Sequence, residues 1–225
     1  PTNTTPVEGN VVKASFGQLR QTFRDLKQYP VAVTFLLAYL FFNDGIQTVI
    51  SQSSTYGTEQ LKFSQTVLIA TILIVQFVAY FGALLFGRLA GTYGTKRTIL
   101  SGLGVWMIIV TIAMVLPERS PLPFYALAVA IGIVLGGTQA LARSYFSLLI
   151  PRGKEAEYFS FYHAVDRGTS WFGTLLFGVV HQITGSFRPA IFALIVLFVI
   201  GGALLLKVDT AKGIRDAGNE LPAVI

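Results

Sequence analysis

Six apolar runs, each long enough to cross a bilayer as a helix, follow one another along this chain with only short polar stretches between them. A crossing takes roughly 20 residues, because in hydrocarbon every backbone N–H and C=O must be bonded within its own segment. The runs lie at 30–50, 66–86, 98–116, 124–141, 159–182 and 189–206, and they leave no room for a soluble domain. Composition agrees: 12% of residues are charged, against about 25% in a soluble domain, too few to cover a water-facing surface. The expected fold is an all-α membrane protein of six transmembrane helices. Residues 1–29 form a cytoplasmic linker, 30–207 the membrane domain and 208–225 a cytoplasmic tail.

The linker contains Val12, Phe16, Leu19, Phe23 and Leu26 at helical spacing, with Lys13, Arg20, Arg24 and Lys27 mostly on other faces. That pattern suits an amphipathic helix lying on an anionic membrane surface; a solvated helix packing on protein fits it equally. Orientation follows from the basic residues. With the N-terminus inside, 13 of the 17 Lys and Arg fall on the cytoplasmic side, Lys62, Arg119 and Arg188 fall outside, and Arg167 lies within a span. Cytoplasmic loops carry the excess of Lys and Arg, so both termini are expected in the cytoplasm, with a bacterial cytoplasmic membrane as the setting. The chain opens on Pro1 rather than Met, which leads us to expect a piece of a longer product.

Several chemistries find no support. The net charge of +6 is spread between apolar runs rather than gathered in a patch with aromatics, so no nucleic-acid partner is expected. There are no cysteines, which excludes disulfides and thiolate chemistry. His163 and His181 are too far apart along their run to share a metal. Gly94-Thr95-Lys96 lacks the Gly-Lys step of a phosphate loop. No cofactor and no metal is expected.

Polarity inside the spans is unevenly distributed. The sixth run has no polar side chain from Ala190 to Leu206, and the third, past Thr98 at its first position, has only Ser101, Trp106 and Thr111. The first carries Asn43, Asp44, Gln47 and Thr48, the second Thr71 and Gln76, and the fourth Thr138 and Gln139. The fifth carries His163, Asp166, Arg167, Thr169 and Ser170. An ionisable group at the centre of a span costs about 2.5–3.5 kcal/mol on insertion scales, and such groups face a bundle interior or a water-filled cavity. Four helices are therefore expected to line something polar and two to shield them. Asp44, Gln47 and Thr48 form one stripe, and Tyr162, Asp166 and Ser170 form an i+4 row. Asp166 has Arg167 beside it, which suits an ion pair or direct solute contact. Asp44 has no cation in its own helix; it is a candidate for coupling to a proton or cation, or else a carboxylate hydrogen-bonded to Asn and Gln across helices. Gly132 and Gly136 make a small-xxx-small pair for close packing.

The stretch Gly87-Arg88-Leu89-Ala90-Gly91-Thr92-Tyr93-Gly94-Thr95-Lys96-Arg97 resembles the glycine- and basic-rich cytoplasmic loop of the major facilitator superfamily. The match holds at Gly87, Leu89, Ala90, Gly94 and Lys96 and departs at Gly91, where that superfamily usually has an Asp. Phe42-Asn43-Asp44-Gly45-Ile46-Gln47-Thr48-Val49, Gly136-Gly137-Thr138-Gln139-Ala140-Leu141-Ala142-Arg143-Ser144, Pro151-Arg152-Gly153-Lys154-Glu155-Ala156-Glu157 and Gly168-Thr169-Ser170-Trp171 resemble its autophagy-related vacuole effluxer-like branch. The resemblance implies the C-terminal six-helix half of such a carrier, which pairs with an N-terminal half and rocks around a midplane site. Amino-acid efflux is associated with the yeast members of this branch; the expected function is a carrier moving a small polar solute, driven by a proton or cation gradient. Asn43, Asp44, Gln47, Gln76, Thr138, Gln139, His163, Asp166, Arg167 and Ser170 are the expected cavity residues. A structural or assembly protein is the alternative, and an intramembrane enzyme using His163 and Asp166 a remoter one.

Overall fold

The computed structural model describes residues 26–168 and 171–224, with only the backbone of residues 167 and 168. Nearly all of the expected amphipathic helix lies outside them. Among the described residues there are helices and no strands. They are α1 (Pro30–Thr55), α2 (Gln65–Tyr93), α3 (Thr95–Met114), α4 (Pro121–Leu148), α5 (Glu155–Gly168), α6 (Phe172–Thr184), α7 (Phe187–Ala193), α8 (Ile195–Lys207) and α9 (Thr210–Asp216). A π-helical turn, Tyr56–Gln60, extends α1.

Five of these are long and apolar enough to cross a membrane: α1 with its π turn, α2, α3, α4, and α7 and α8 read together. The fifth expected span, 159–182, is instead divided between α5 and α6, of which α6 is a shorter apolar helix. Proline occupies the first turn of α1 and of α4, where a missing N–H costs nothing.

The ends of the helices differ from the sequence reading in an instructive way. The basic stretch 87–97 is not a loop: α2 runs to Tyr93 and α3 begins at Thr95, so Gly94 alone separates them. Its φ of 88° is the reason, since a residue with a Cβ rarely adopts that conformation. Helical backbone needs no apolar side chains, only its own hydrogen bonds, so the helices continue past the hydrophobic boundary. The segment after α8 also folds back. Asp209 caps α9 by accepting from the Lys212 N–H at 3.0 Å. The hydroxyls of Tyr145 and Thr210 meet at 2.6 Å, and Asn219 donates to the carbonyls of Leu148 and Ile150.

Glycine sets how closely the helices approach. A Cβ at Gly136 would overlap the Ala79 carbonyl, one at Gly82 the backbone of Ile133, and one at Gly132 would lie 2.8 Å from the Val75 oxygen. The small-residue pair read from the sequence thus lies in the seam between α2 and α4. A second seam joins α1 to α8, where Gly45 lies against Phe198 and Gly201 against Phe42. Trp106 of α3 is fully buried and stacks on Phe198 with ring centroids 5.8 Å apart. Within this chain α2, rather than α3 or α7–α8, is the least covered helix: 11% of its most apolar stretch is buried, against 44% and 39% for those two.

Candidate functional site

Between α1, α4 and α5 the polar residues of three spans meet. Asp166 Oδ1 accepts from the Tyr39 hydroxyl at 2.8 Å and from Asn43 Nδ2 at 2.7 Å. Asn43 Oδ1 accepts in turn from Gln139 Nε2 at 2.7 Å. Tyr39 and Asn43 are one helical turn apart on α1 and both fully buried, so they present one polar face. Gln139 and Asp166 are half-buried and form the open side of the cluster. The Tyr39 ring stacks on Tyr162 of α5 with centroids 4.4 Å apart, and Tyr162 precedes Asp166 by one turn. Hydrogen bonds to a charged group contribute about 1.5–3 kcal/mol each, so the two donors offset much of what it costs to hold a carboxylate here. The network offers amide and carboxylate groups to a polar molecule entering from its open side.

Asp44 is placed differently. It is adjacent to Asn43, and successive side chains on a helix diverge by about 100°. Its Oδ2 accepts from the backbone N–H of Gly173, in the first turn of α6, at 2.6 Å, within a buried contact. The sequence left hydrogen bonding to Asn and Gln across helices as one alternative for Asp44; its bond is instead to a backbone amide, and the carboxylate that accepts from an Asn across helices is Asp166.

The remaining expected residues are distributed around this cluster. Gln47 is half-buried one turn along α1. Gln76 lines a separate cavity of about 210 Å³ between α1, α2 and α4, together with Ser53, Ser54, Thr71 and apolar side chains. Thr138 is buried and donates to the Val134 carbonyl of its own helix at 2.6 Å, while its methyl group faces Gly102 of α3. His163 is exposed, near the rings of Phe159 and Tyr162. Arg167 lies on α5, and Ser170 falls outside the described residues. In the glycine- and basic-rich stretch, Gly87 is exposed and Leu89 and Ala90 are half-buried. Lys96 Nζ donates to the carbonyls of Leu206 at 3.0 Å and Val208 at 2.7 Å, tying the start of α3 to the end of α8.

Two residues of the site were not singled out from the sequence. Tyr39 reads as one more aromatic in an apolar run; the signal that could have found it is its i+4 spacing from Asn43. Gly173 reads as a small residue in a span, and nothing local marks its amide as the partner of a carboxylate 129 positions earlier.

Over residues 1–218 the sequence matches the family described as vacuole effluxer Atg22 like. It is 36% identical over 217 residues to an uncharacterised MFS-type transporter, YxiO, of Bacillus subtilis, covering 96% of this chain and 50% of that protein. It is 31% identical over 209 residues to autophagy-related protein 22 of Yarrowia lipolytica, covering 87% of this chain and 34% of that one. For autophagy-related protein 22 of Kluyveromyces lactis the identity is 28% over 222 residues, with 93% and 44% covered. The chain thus spans half or less of the length of each of these relatives.

Proposed function

This chain belongs to the vacuole effluxer Atg22-like family, and on that premise we propose that it is one half of a secondary transporter. It moves a small polar solute, an amino acid in our reading, by alternating access, together with a second six-helix half. The observation that carries the proposal is the joining of Tyr39, Asn43, Gln139 and Asp166 from three helices in one network. Buried polar groups in membrane helices mark solute and ion paths. A structural protein has no need of a network that opens on one side.

The chemistry suits a zwitterion. Asp166 presents a carboxylate to an ammonium group, and the amides of Asn43 and Gln139 supply both donors and acceptors. Asp166 is also the carboxylate best placed to exchange a proton or cation with the solute path, since it is half-buried while Asp44 is enclosed. The groups facing it are Tyr39 and Asn43 from α1, with Tyr162 one turn earlier on its own helix. The membrane is the bacterial cytoplasmic membrane in this reading, and the end of the bundle carrying Arg88, Lys96, Arg152 and Lys207 faces the cytoplasm, as the excess of basic residues there suggests.

The test is flux of radiolabelled amino acids into proteoliposomes made with the protein expressed from its complete open reading frame. Uptake that saturates, and that Gln139→Ala abolishes while the variant still elutes as a folded species, supports the carrier. Wild-type protein that moves none of them under any imposed gradient favours the structural alternative.

A further inference from the structure

The first N–H groups of a helix have no partner within it, and a cap usually comes from a Ser, Thr, Asp or Asn just before the helix. The residue in that position of α6 is Trp171, which makes no side-chain cap. The acceptor comes from another helix: Asp44 of α1, 1% exposed, reaches the Gly173 N–H at 2.6 Å. A carboxylate there also meets the positive end of the helix dipole.

Only glycine permits the approach. A Cβ at position 173 would overlap Thr48 Oγ1 and would lie 3.1 Å from Leu197 Cδ1 and 3.2 Å from the Asp44 carbonyl oxygen. Phe41 and Phe172 pack edge-on beside the contact, with centroids 6.5 Å apart. The preceding residue of α1, Asn43, bonds Asp166 on α5. One dipeptide of α1 therefore holds both helices of the fifth span, α5 through Asn43 and α6 through Asp44.

We propose that Asp44 is a positioning residue: its carboxylate fixes α6 on α1, and it neither touches the solute nor carries the coupling ion. The transport readouts below rest on the carrier reading; the hydrogen-exchange readout does not. What α6 needs from Asp44 is an acceptor oxygen in a fixed place, which an amide supplies as well as a carboxylate.

The experiment uses the full-length protein in proteoliposomes, with labelled amino acids as the probe and hydrogen exchange followed over residues 172–184. Asp44→Asn is expected to keep uptake within about twofold of wild type, with its dependence on the imposed ion gradient unchanged, because Asn caps as well as Asp. Asp44→Ala is expected to lower uptake by about tenfold or more, as small misplacements of a site do, with faster exchange at the start of α6. Gly173→Ala should reproduce that loss, and Thr48→Ala in the same chain should restore part of it by removing the overlapping hydroxyl.

Asp44→Asn as impaired as Asp44→Ala, with α6 still protected, would overturn the proposal in favour of a role for the charge. Wild-type uptake and protection in Asp44→Ala would overturn it as well. If Asp44→Ala does not fold, the Gly173→Ala pair decides: recovery with Thr48→Ala supports the contact, and no recovery counts against it. Absence of uptake in the wild type would remove the carrier reading and leave the exchange comparison standing.

Discussion

Tyr39, Asn43 and Asp44 occupy little more than one turn of α1, yet each is bonded to an element more than 100 residues away in sequence. Removing Asn43 as Asn43→Ala leaves Gln139 without its acceptor and takes one donor from Asp166. A buried group left unpaired costs about 1–3 kcal/mol, and thermal unfolding of the full-length protein in detergent should register a loss of that size. An unchanged midpoint would mean that the network is not formed. What the sequence showed at this scale was set by local spacing. Tyr162 and Asp166 were legible as one row because an α-helix brings i and i+4 together. The pairing of Asn43 with Asp166 was not, because a contact across 123 positions leaves no periodic trace in either segment. Tyr39 was hidden for a related reason, since an aromatic ring suits an apolar run whether or not its hydroxyl has a partner.

Among the elements, α2 and α4 lie closest, and glycine is what allows it. Gly136→Ala places a methyl group on the Ala79 carbonyl, and overpacking of this kind costs about 1–3 kcal/mol. Gly87→Ala, with nothing within 4 Å of the added atom, should hold or slightly raise stability because Ala is the better helix former, and the difference between the two unfolding midpoints checks the seam. Lys96 gives a second prediction at this scale. Lys96→Met removes both bonds, to the carbonyls of Leu206 in α8 and of Val208 just past it, and charged hydrogen bonds contribute about 1.5–3 kcal/mol each; a partly exposed ammonium regains some of that from water. Hydrogen exchange at the end of α8 should quicken, and unchanged protection there would count against the tie. The order of the apolar spans was legible because bilayer-length apolar runs admit few structures other than crossing helices. Their ends were not: hydropathy marks where the side chains stop being apolar, whereas helices stop where the backbone turns, as at Gly94. The division of the fifth span between α5 and α6 was missed because the polar stretch from Asp166 to Ser170 reads equally as a polar lining within a single helix.

The whole chain buries α1 and leaves a long apolar face of α2 uncovered, including Ile69, Leu73, Phe77, Tyr80 and Phe81. Lipid and a second six-helix half are both suitable cover, and the open side of the polar network calls for the latter in our proposal. The glycine- and basic-rich stretch serves the fold at this scale by joining three helices through Gly94 and Lys96. Alternating access makes a demand that neither a channel nor a scaffold makes: the site must return across the membrane, and it returns faster when loaded. Trans-acceleration measures that directly. Proteoliposomes of the full-length protein are preloaded with unlabelled amino acid, and entry of the labelled form is compared with entry into empty vesicles. The account predicts faster entry into the loaded vesicles for wild type and none of that gain for Gln139→Ala. Equal rates into loaded and empty vesicles, or a gain that survives in Gln139→Ala, would contradict it.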